Sequence, residues 1–345
     1  MTDTHDSISR RGYLAGATTV GSAALAGCSG FFGGGSDDAI SVAYMPIYPD
    51  MQHFVMQEEG YYDEIPAPVE TTQFPSGPRI VQAYASGKID VALFGIVPAM
   101  IVIDRGIGAK VVAANIQEAM GVLAHEEFAA MWDPEDAAGS FAQWEQERGQ
   151  TFTFGTFPKG SVPDILLRYW LSDVHGLEPG EAVDITGPGG ASAVFNGLAS
   201  GSFSGTSIME PVPTRVAEND LPYERIAKAG DFMPGQPAAV TLMSDAVRGT
   251  DAAQEFVAQH QRATEFINAN RDTAAEHAST AIGSETLSPE TAKRAMDSPL
   301  SNFISDPHLI EDGTDTFAEY AAALGQTDTR LSTNQIFDYS LYDNL

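Results

Sequence analysis

The sequence predicts an α/β protein of two lobes, each a mixed, mostly parallel sheet flanked by helices. Three observations predict it. From Ala39 onward, short apolar runs alternate with helical patterns, and that alternation implies a mostly parallel sheet with helices on both faces. A weak internal repeat relates residues 79–98, RIVQAYASGKIDVALFGIVP, to residues 193–211, AVFNGLASGSFSGTSIMEP. Both pieces carry an Ala-Ser-Gly helix end, then a short strand, then a proline-bearing loop. A strand-to-helix junction also recurs: Ser76-Gly77-Pro78 follows one apolar run and Ser161-Val162-Pro163 follows another.

The elements follow in order. Ala39 to Tyr44 reads as a strand. Met51 to Gly60 reads as a helix, with Asp50 as its N-cap and Gly60 as its stop. Val69 to Gln73 reads as a strand, Ser76 to Ser86 as a helix ended by Gly87, and Ile89 to Phe94 and Ala109 to Asn115 as strands. Trp132 to Arg148 is acidic and helical, and reads as a surface excursion. Thr151 to Phe157 is strand-like. After Asp231 a Pro/Gly-rich link leads to Ala238–Met243, an apolar strand able to return to the first lobe. From Asp251 to Ile282 the pattern is helical, with Phe256, Val257, His260, Ala263, Phe266 and Ile267 on one side. Pro289 to Met296 and Thr314 to Leu324 are further helices. His260 reads as a packing residue.

Composition narrows the function. The 345 residues carry 47 acidic and 18 basic side chains, a formal net charge of -29. Nucleic-acid binding needs basic patches that displace counterions, so that class is excluded. The 43% hydrophobic content supports a real core. No apolar run approaches the roughly 18 residues of a membrane span. Few lysines among many carboxylates resemble the surface of a salt-loving organism's protein. One cysteine, Cys28, rules out a disulfide framework or a cysteine metal site within one chain. The seven histidines form no ligand pair of known spacing. No metal and no cofactor are expected.

The first 37 residues read as an address. Arg10 and Arg11 precede a weakly apolar stretch from Ala15 to Ala26, a positive region followed by a short apolar one. Ser9-Arg10-Arg11-Gly12-Tyr13-Leu14 resembles a twin-arginine export signal. Leu25-Ala26-Gly27-Cys28 resembles a lipobox, whose cysteine carries a lipid anchor. Gly33-Gly34-Gly35-Ser36 then reads as a flexible tether. The expected address is therefore extracytoplasmic, on the outer face of the cell membrane.

The two Ser-x-Pro junctions carry physics. Serine is a good N-cap, and proline fits the first helical turn. Asp164, three residues after Ser161, completes a capping-box-like pattern. Both helices begin where a strand ends, which is where open α/β sheets bind ligands. Free N–H groups and the positive end of the helix dipole favour an anionic or strongly polar guest.

Phe74-Pro75-Ser76-Gly77-Pro78, followed by Ala85-Ser86-Gly87-Lys88-Ile89-Asp90, resembles the nitrate/sulfonate/taurine (NMT1-like) branch of type II periplasmic binding proteins. Tyr44-Met45-Pro46-Ile47-Tyr48, Gly60-Tyr61-Tyr62, Glu210-Pro211 and Ile336-Phe337-Asp338 extend the likeness over most of residues 39–345. The resemblance implies two lobes closing around a small solute, as the monomeric binding subunit of an ABC importer with permease and ATPase partners. It implies residues 38–120 as the first lobe, 121–237 as the second, and 238–345 as a return to the first. It places Tyr44, Tyr48, Phe74, Ser76, Gly77, Gly95 and Ile96 on one wall of the site. Thr156, Lys159, Ser161 and Glu210 face them. The third loop, Phe94-Gly95-Ile96-Val97-Pro98, lacks the polar residue common in the family, which leaves room for an organic solute. Three alternatives stay open. Lys159 is either a ligand cation or a solvated lysine. Glu210 either accepts an amine or pairs with Arg215. The tyrosines either line the cleft or pack in the core.

Enzyme readings fit less well. Thiamine-pyrimidine synthases resemble this family but carry a cysteine-rich cluster, whereas a transporter of a pyrimidine precursor needs none. No G-x-S-x-G elbow and no G-x-G-x-x-G fingerprint are present.

Overall fold

A computed structural model describes residues 39–345 of the chain. The expectations for Arg10, Arg11 and Cys28 lie outside the described residues.

Eleven strands form two sheets among the described residues. They are β1 (Ile40–Tyr44), β2 (Val69–Gln73), β3 (Val91–Gly95), β4 (Ala109–Gln117), β5 (Met120–His125), β6 (Phe152–Gly155), β7 (Val183–Thr186), β8 (Gly205–Met209), β9 (Tyr223–Lys228), β10 (Pro237–Ser244) and β11 (Asn302–Phe303). The first sheet runs β11-β4-β10-β3-β1-β2 and the second β7-β6-β8-β5-β9. The two share one plan. In the first, β2, β1 and β3 are parallel, and β10 inserts antiparallel between β3 and β4. In the second, β7, β6 and β8 are parallel, and β5 inserts antiparallel between β8 and β9. Each sheet thus borrows one strand that reaches it from the other.

The internal repeat maps onto this plan. The helix Gly77–Ala85 leads into β3, and the helix Ala191–Ala199 leads into β8. Gly87 and Gly201 close the two helices at φ +68° and +69°. That left-handed backbone is costly for any side chain and free for glycine.

Central strands are buried on both faces and read as near-continuous apolar runs, as Val91–Phe94 does and Val240–Met243 does with Thr241 as its one polar residue. A fully buried polar cluster sits beneath the first sheet. Gln52 Nε2 donates to the Asn115 carbonyl at 2.7 Å, Thr241 Oγ1 donates to Asn115 Oδ1 at 2.8 Å, and His260 Nε2 lies 3.0 Å from the same oxygen. These bonds tie the helices Met51–Glu58 and Asp251–Ala269 to β4 and β10. The long C-terminal helical stretch is two helices, Asp251–Ala269 and Arg271–Ile282, parted at Asn270.

Two local expectations are corrected here. Asp50 stands at the N-cap position, but its side chain does not cap the helix. It is fully buried, and its Oδ2 accepts the Met45 N–H at 3.1 Å. Trp132–Arg148 is not a surface excursion. Its helix, Ala137–Arg148, buries Phe141 and Trp144 in an aromatic core with Phe128, Phe152, Phe154 and Trp170. The Phe128 and Phe152 ring centroids lie 4.4 Å apart, and those of Phe152 and Phe154 4.7 Å. Such pairs add to the burial of each ring, which outweighs the acidic composition of the exposed face.

Candidate functional site

The carboxyl ends of β1, β3, β6 and β8 are Tyr44, Gly95, Gly155 and Met209. A helix starts soon after β2, β3 and β6. Gly77 begins the first of these helices and lies against Pro98 in the first turn of the second, Ile96–Asp104; a methyl group at Gly77 would sit 3.0 Å from Pro98 Cγ. A methyl group at Gly95 would sit 3.4 Å from Val162 Cγ2, in the first turn of the helix Val162–Tyr169 beyond β6. Three helix starts therefore meet: two from the first sheet and one from the second.

None of these starts is capped by its own side chain. Ser76, Gly95 and Ser161 make no side-chain cap hydrogen bond. Three other helices do have such a cap: Asp136 accepts from Gly139 N–H at 3.0 Å, Thr250 from Ala253 N–H at 3.2 Å and Ser288 from Thr291 N–H at 3.1 Å, while the starts at Gly190, Pro211 and Ser244 have none. The Ser161 hydroxyl is buried without a hydrogen-bond partner among the described residues. A buried orphan hydroxyl costs about 1–3 kcal/mol; Ser161 Oγ is one of twelve buried side-chain polar atoms without a partner among the described residues, and the one at these helix starts. The first-turn N–H groups beside it are the donors that an anion uses.

The capping box at Ser161 and Asp164 does not form. The Asp164 carboxylate, 1% exposed, turns back to accept the Gly160 N–H at 2.8 Å and pairs with Arg168 Nε at 3.0 Å. It fixes the Lys159–Ser161 loop rather than closing the helix. Gly160 is in the left-handed region at φ +82° and packs against the Gln326 side chain.

The other expected residues are placed as follows. Phe74 and Ser76 are half-buried, Gly77 and Ile96 buried. Lys159 is exposed and makes no ion pair among the described residues. The Thr156 hydroxyl is spent inside the second sheet, donating to the Ser207 carbonyl at 2.8 Å. Tyr44 is half-buried, stacks on His53 at 3.7 Å between centroids, and points its hydroxyl at Gln73 Oε1, 3.5 Å away. Burial raises its pKa. Tyr48 is enclosed: its hydroxyl lies 2.9 Å from both Met296 Sδ and Ser301 Oγ, and burial raises its pKa far out of range. Core packing is the reading that fits Tyr48.

Glu210 is 3% exposed and does not pair with Arg215, which stacks on Phe195 at 3.9 Å. Its Oε2 accepts the Thr214 N–H at 3.1 Å. Burial raises its pKa; bonds from Ser298 and Thr214 and the charge of Arg225 pull it back in part. It borders a crevice of about 330 Å³ lined also by Thr214, Arg225, Arg294, Asp297 and Ser298. Sequence reasoning missed these partners, which come from segments far apart in the chain. Among the described residues no cluster of three or more His, Cys, Asp or Glu is placed to hold a metal ion.

The chain was compared with known proteins. Its fold matches the periplasmic aliphatic sulphonate binding protein SsuA of Escherichia coli at TM-score 0.70 and 16% identity, over 89% of this chain and 100% of that one. It matches the periplasmic nitrate-binding protein NrtA of Synechocystis at 0.71 and 15%, over 90% and 88%. A Candida albicans gene product described as having the generic periplasmic binding protein fold matches at 0.60 and 15%, over 87% and 96%. At these identities the likeness is one of fold. No curated protein matches in sequence. The profile of the NMT1-like family matches residues 33–282. With two strand-swapped α/β sheets and a profile match over most of its length, the chain belongs to the NMT1-like family.

Proposed function

We propose that this protein is the solute-binding subunit of an ABC importer and takes a small anionic or zwitterionic solute, of the nitrate, sulfonate, taurine or bicarbonate kind. One observation carries the reading: three uncapped helix starts meet at the strand ends of both sheets, beside an orphaned Ser161 hydroxyl. Ser76, Gly77, Gly95, Ile96, Lys159 and Ser161 form the anion end of this site, with Tyr44 and Phe74 at its edge. Glu210 serves a cationic group where the solute has one. In this reading Arg10 and Arg11 direct export, Cys28 carries the lipid anchor, and the monomer delivers its solute to a permease and ATPase. In this reading the protein binds and delivers its solute and catalyses no reaction.

A thermal-shift screen with nitrate, taurine, alkanesulfonates, bicarbonate and thiamine-pyrimidine precursors tests it. A solute at 100 times its Kd adds about 2.7 kcal/mol of stability, a clear rise in Tm. A flat response across the panel would sink the reading. Ser161→Ala removes a hydrogen bond to a charged group, about 1.5–3 kcal/mol, so the Kd of the bound anion rises tenfold or more, while the solute-free Tm holds or rises because the orphaned hydroxyl is gone. Lys159→Ala weakens an acidic solute likewise. Unchanged affinity in isothermal titration removes either residue from the site.

A further inference from the structure

Among the described residues the two sheets are joined by two connections. Glu118 and Ala119 link β4 to β5, and residues 229–236 link β9 to β10. The crossings lie side by side. Glu118 N–H donates to the Gln236 carbonyl at 2.8 Å, and Ala119 N–H donates to Gln236 Oε1 at 3.2 Å. In the other direction, Gly235 N–H donates to Glu118 Oε1 at 2.9 Å. Gln236 is fully buried and donates its own amide to the Pro237 carbonyl.

The backbone here is also unusual. Glu118 has φ +52°, one of two positive-φ non-glycine residues among those described. For an L-residue that conformation costs roughly 1–2 kcal/mol, and it persists only where the surroundings enforce it. The surroundings are tight. The Glu118 carboxylate leaves no space for a side chain at Gly230. Gly235, at φ +71°, lies against the Leu309 carbonyl, and Gly313 of the helix Glu311–Ala323 packs on the Gly235 carbonyl.

We propose that Glu118 is a positioning residue that clamps both crossings into one pivot and so sets the angle between the sheets. It touches no solute. Gly95 ends β3 of the first sheet and Val162 begins the helix after β6 of the second, so the angle between the sheets sets how far apart these two walls of the site stand. A binding-competent angle populated less often raises the apparent Kd in proportion. The consequence for affinity rests on the function proposed above; the clamp itself does not.

The test uses the full chain without solute. Glu118→Ala removes the acceptor for Gly235 N–H. Glu118→Gln keeps that acceptor and loses only the charge. Glu118→Gly removes the clamp yet tolerates the backbone, and carries the test should the alanine variant fail to fold. Hydrogen exchange by mass spectrometry is expected to quicken at least tenfold in peptides covering 117–121 and 233–237 of the Ala or Gly variant. The helix Asp251–Ala269 should keep its protection. Small-angle scattering should show a changed radius of gyration, and the Gln variant should restore both. Exchange that quickens uniformly along the chain would make Glu118 merely structural and overturn the proposal. So would a Gln variant no better than Ala. With nitrate or taurine, a threefold or greater change in Kd for Glu118→Ala is expected. Should no solute of the full panel bind the wild type, the functional reading alone falls, because exchange and scattering still decide the clamp.

Discussion

Replacing Arg168 with alanine is expected to remove about 1.5–3 kcal/mol of folding stability, the range of a hydrogen bond to a charged group, since the Arg168 side chain is 19% exposed. Asp164 is 1% exposed, and Arg168 Nε, 3.0 Å away, is the cation that pairs with it. Without the guanidinium the carboxylate keeps one backbone donor, Gly160 N–H, and no counter-charge. Asp164 also lies in the first turn of the helix whose start faces the site. An unpaired negative charge there opposes the helix dipole's attraction for an anion, so solute affinity falls together with stability. The double variant Asp164→Asn, Arg168→Ala separates the terms. A neutral amide still accepts the Gly160 N–H and needs no counter-ion, so it should recover most of the loss. Guanidinium unfolding of the single and double variants completes the cycle. An Arg168→Ala variant within about 1 kcal/mol of wild type would show that the pair contributes little.

What the sequence could show follows from which interactions are local. Strands such as β3 and β10 were legible because burial on both faces demands a near-continuous apolar run. Gly87 and Gly201 were legible because a left-handed helix end selects glycine. The edge strands β7 and β9 were not. Each exposes much of its length, and Tyr223–Lys228 carries three charges. Phe141 and Trp144 stand three apart on one face of a helix that was legible, but the charges around them obscured that this face is buried. The site divides in the same way. Ser76, Ser161 and the glycines announced themselves as helix starts after strands. Asp164 announced a cap, but a carboxylate one turn from an arginine has two local partners, and the sequence does not rank them. The enclosure of Tyr48 by Ser301, and the grouping of Glu210 with Arg225 and Asp297, depend on contacts far apart in the chain. No periodicity encodes those.

Acidification is expected to unfold the protein over a window set by two buried imidazoles. Burial pulls His53 and His260 from 6.5 down to about 3. Between those values the unfolded chain binds a proton at each site and the folded chain does not. Their stabilising contribution is therefore complete above pH 6.5 and declines as pH falls towards 3. Each histidine approaches a slope of about 1.4 kcal/mol per pH unit well below pH 6.5, so the pair removes roughly 3 kcal/mol between pH 6.5 and 5. Asp50 and Glu210 work in the opposite sense. Burial raises both carboxyls, so the folded chain takes up their protons first and gains stability as pH falls through the raised values. The measurement that isolates the imidazoles is a difference. Denaturant unfolding at pH 7, 6 and 5 is compared between wild type and His53→Gln, His260→Gln and the double variant. The carboxyls and the overall charge of -29 are common to all four, and cancel. Each replacement should flatten the curve by about one proton's slope, most clearly at His260, whose Nδ1 is buried with no partner among the described residues to share a proton. Parallel curves would mean that water reaches both rings in the folded state and that neither histidine governs the acid limit.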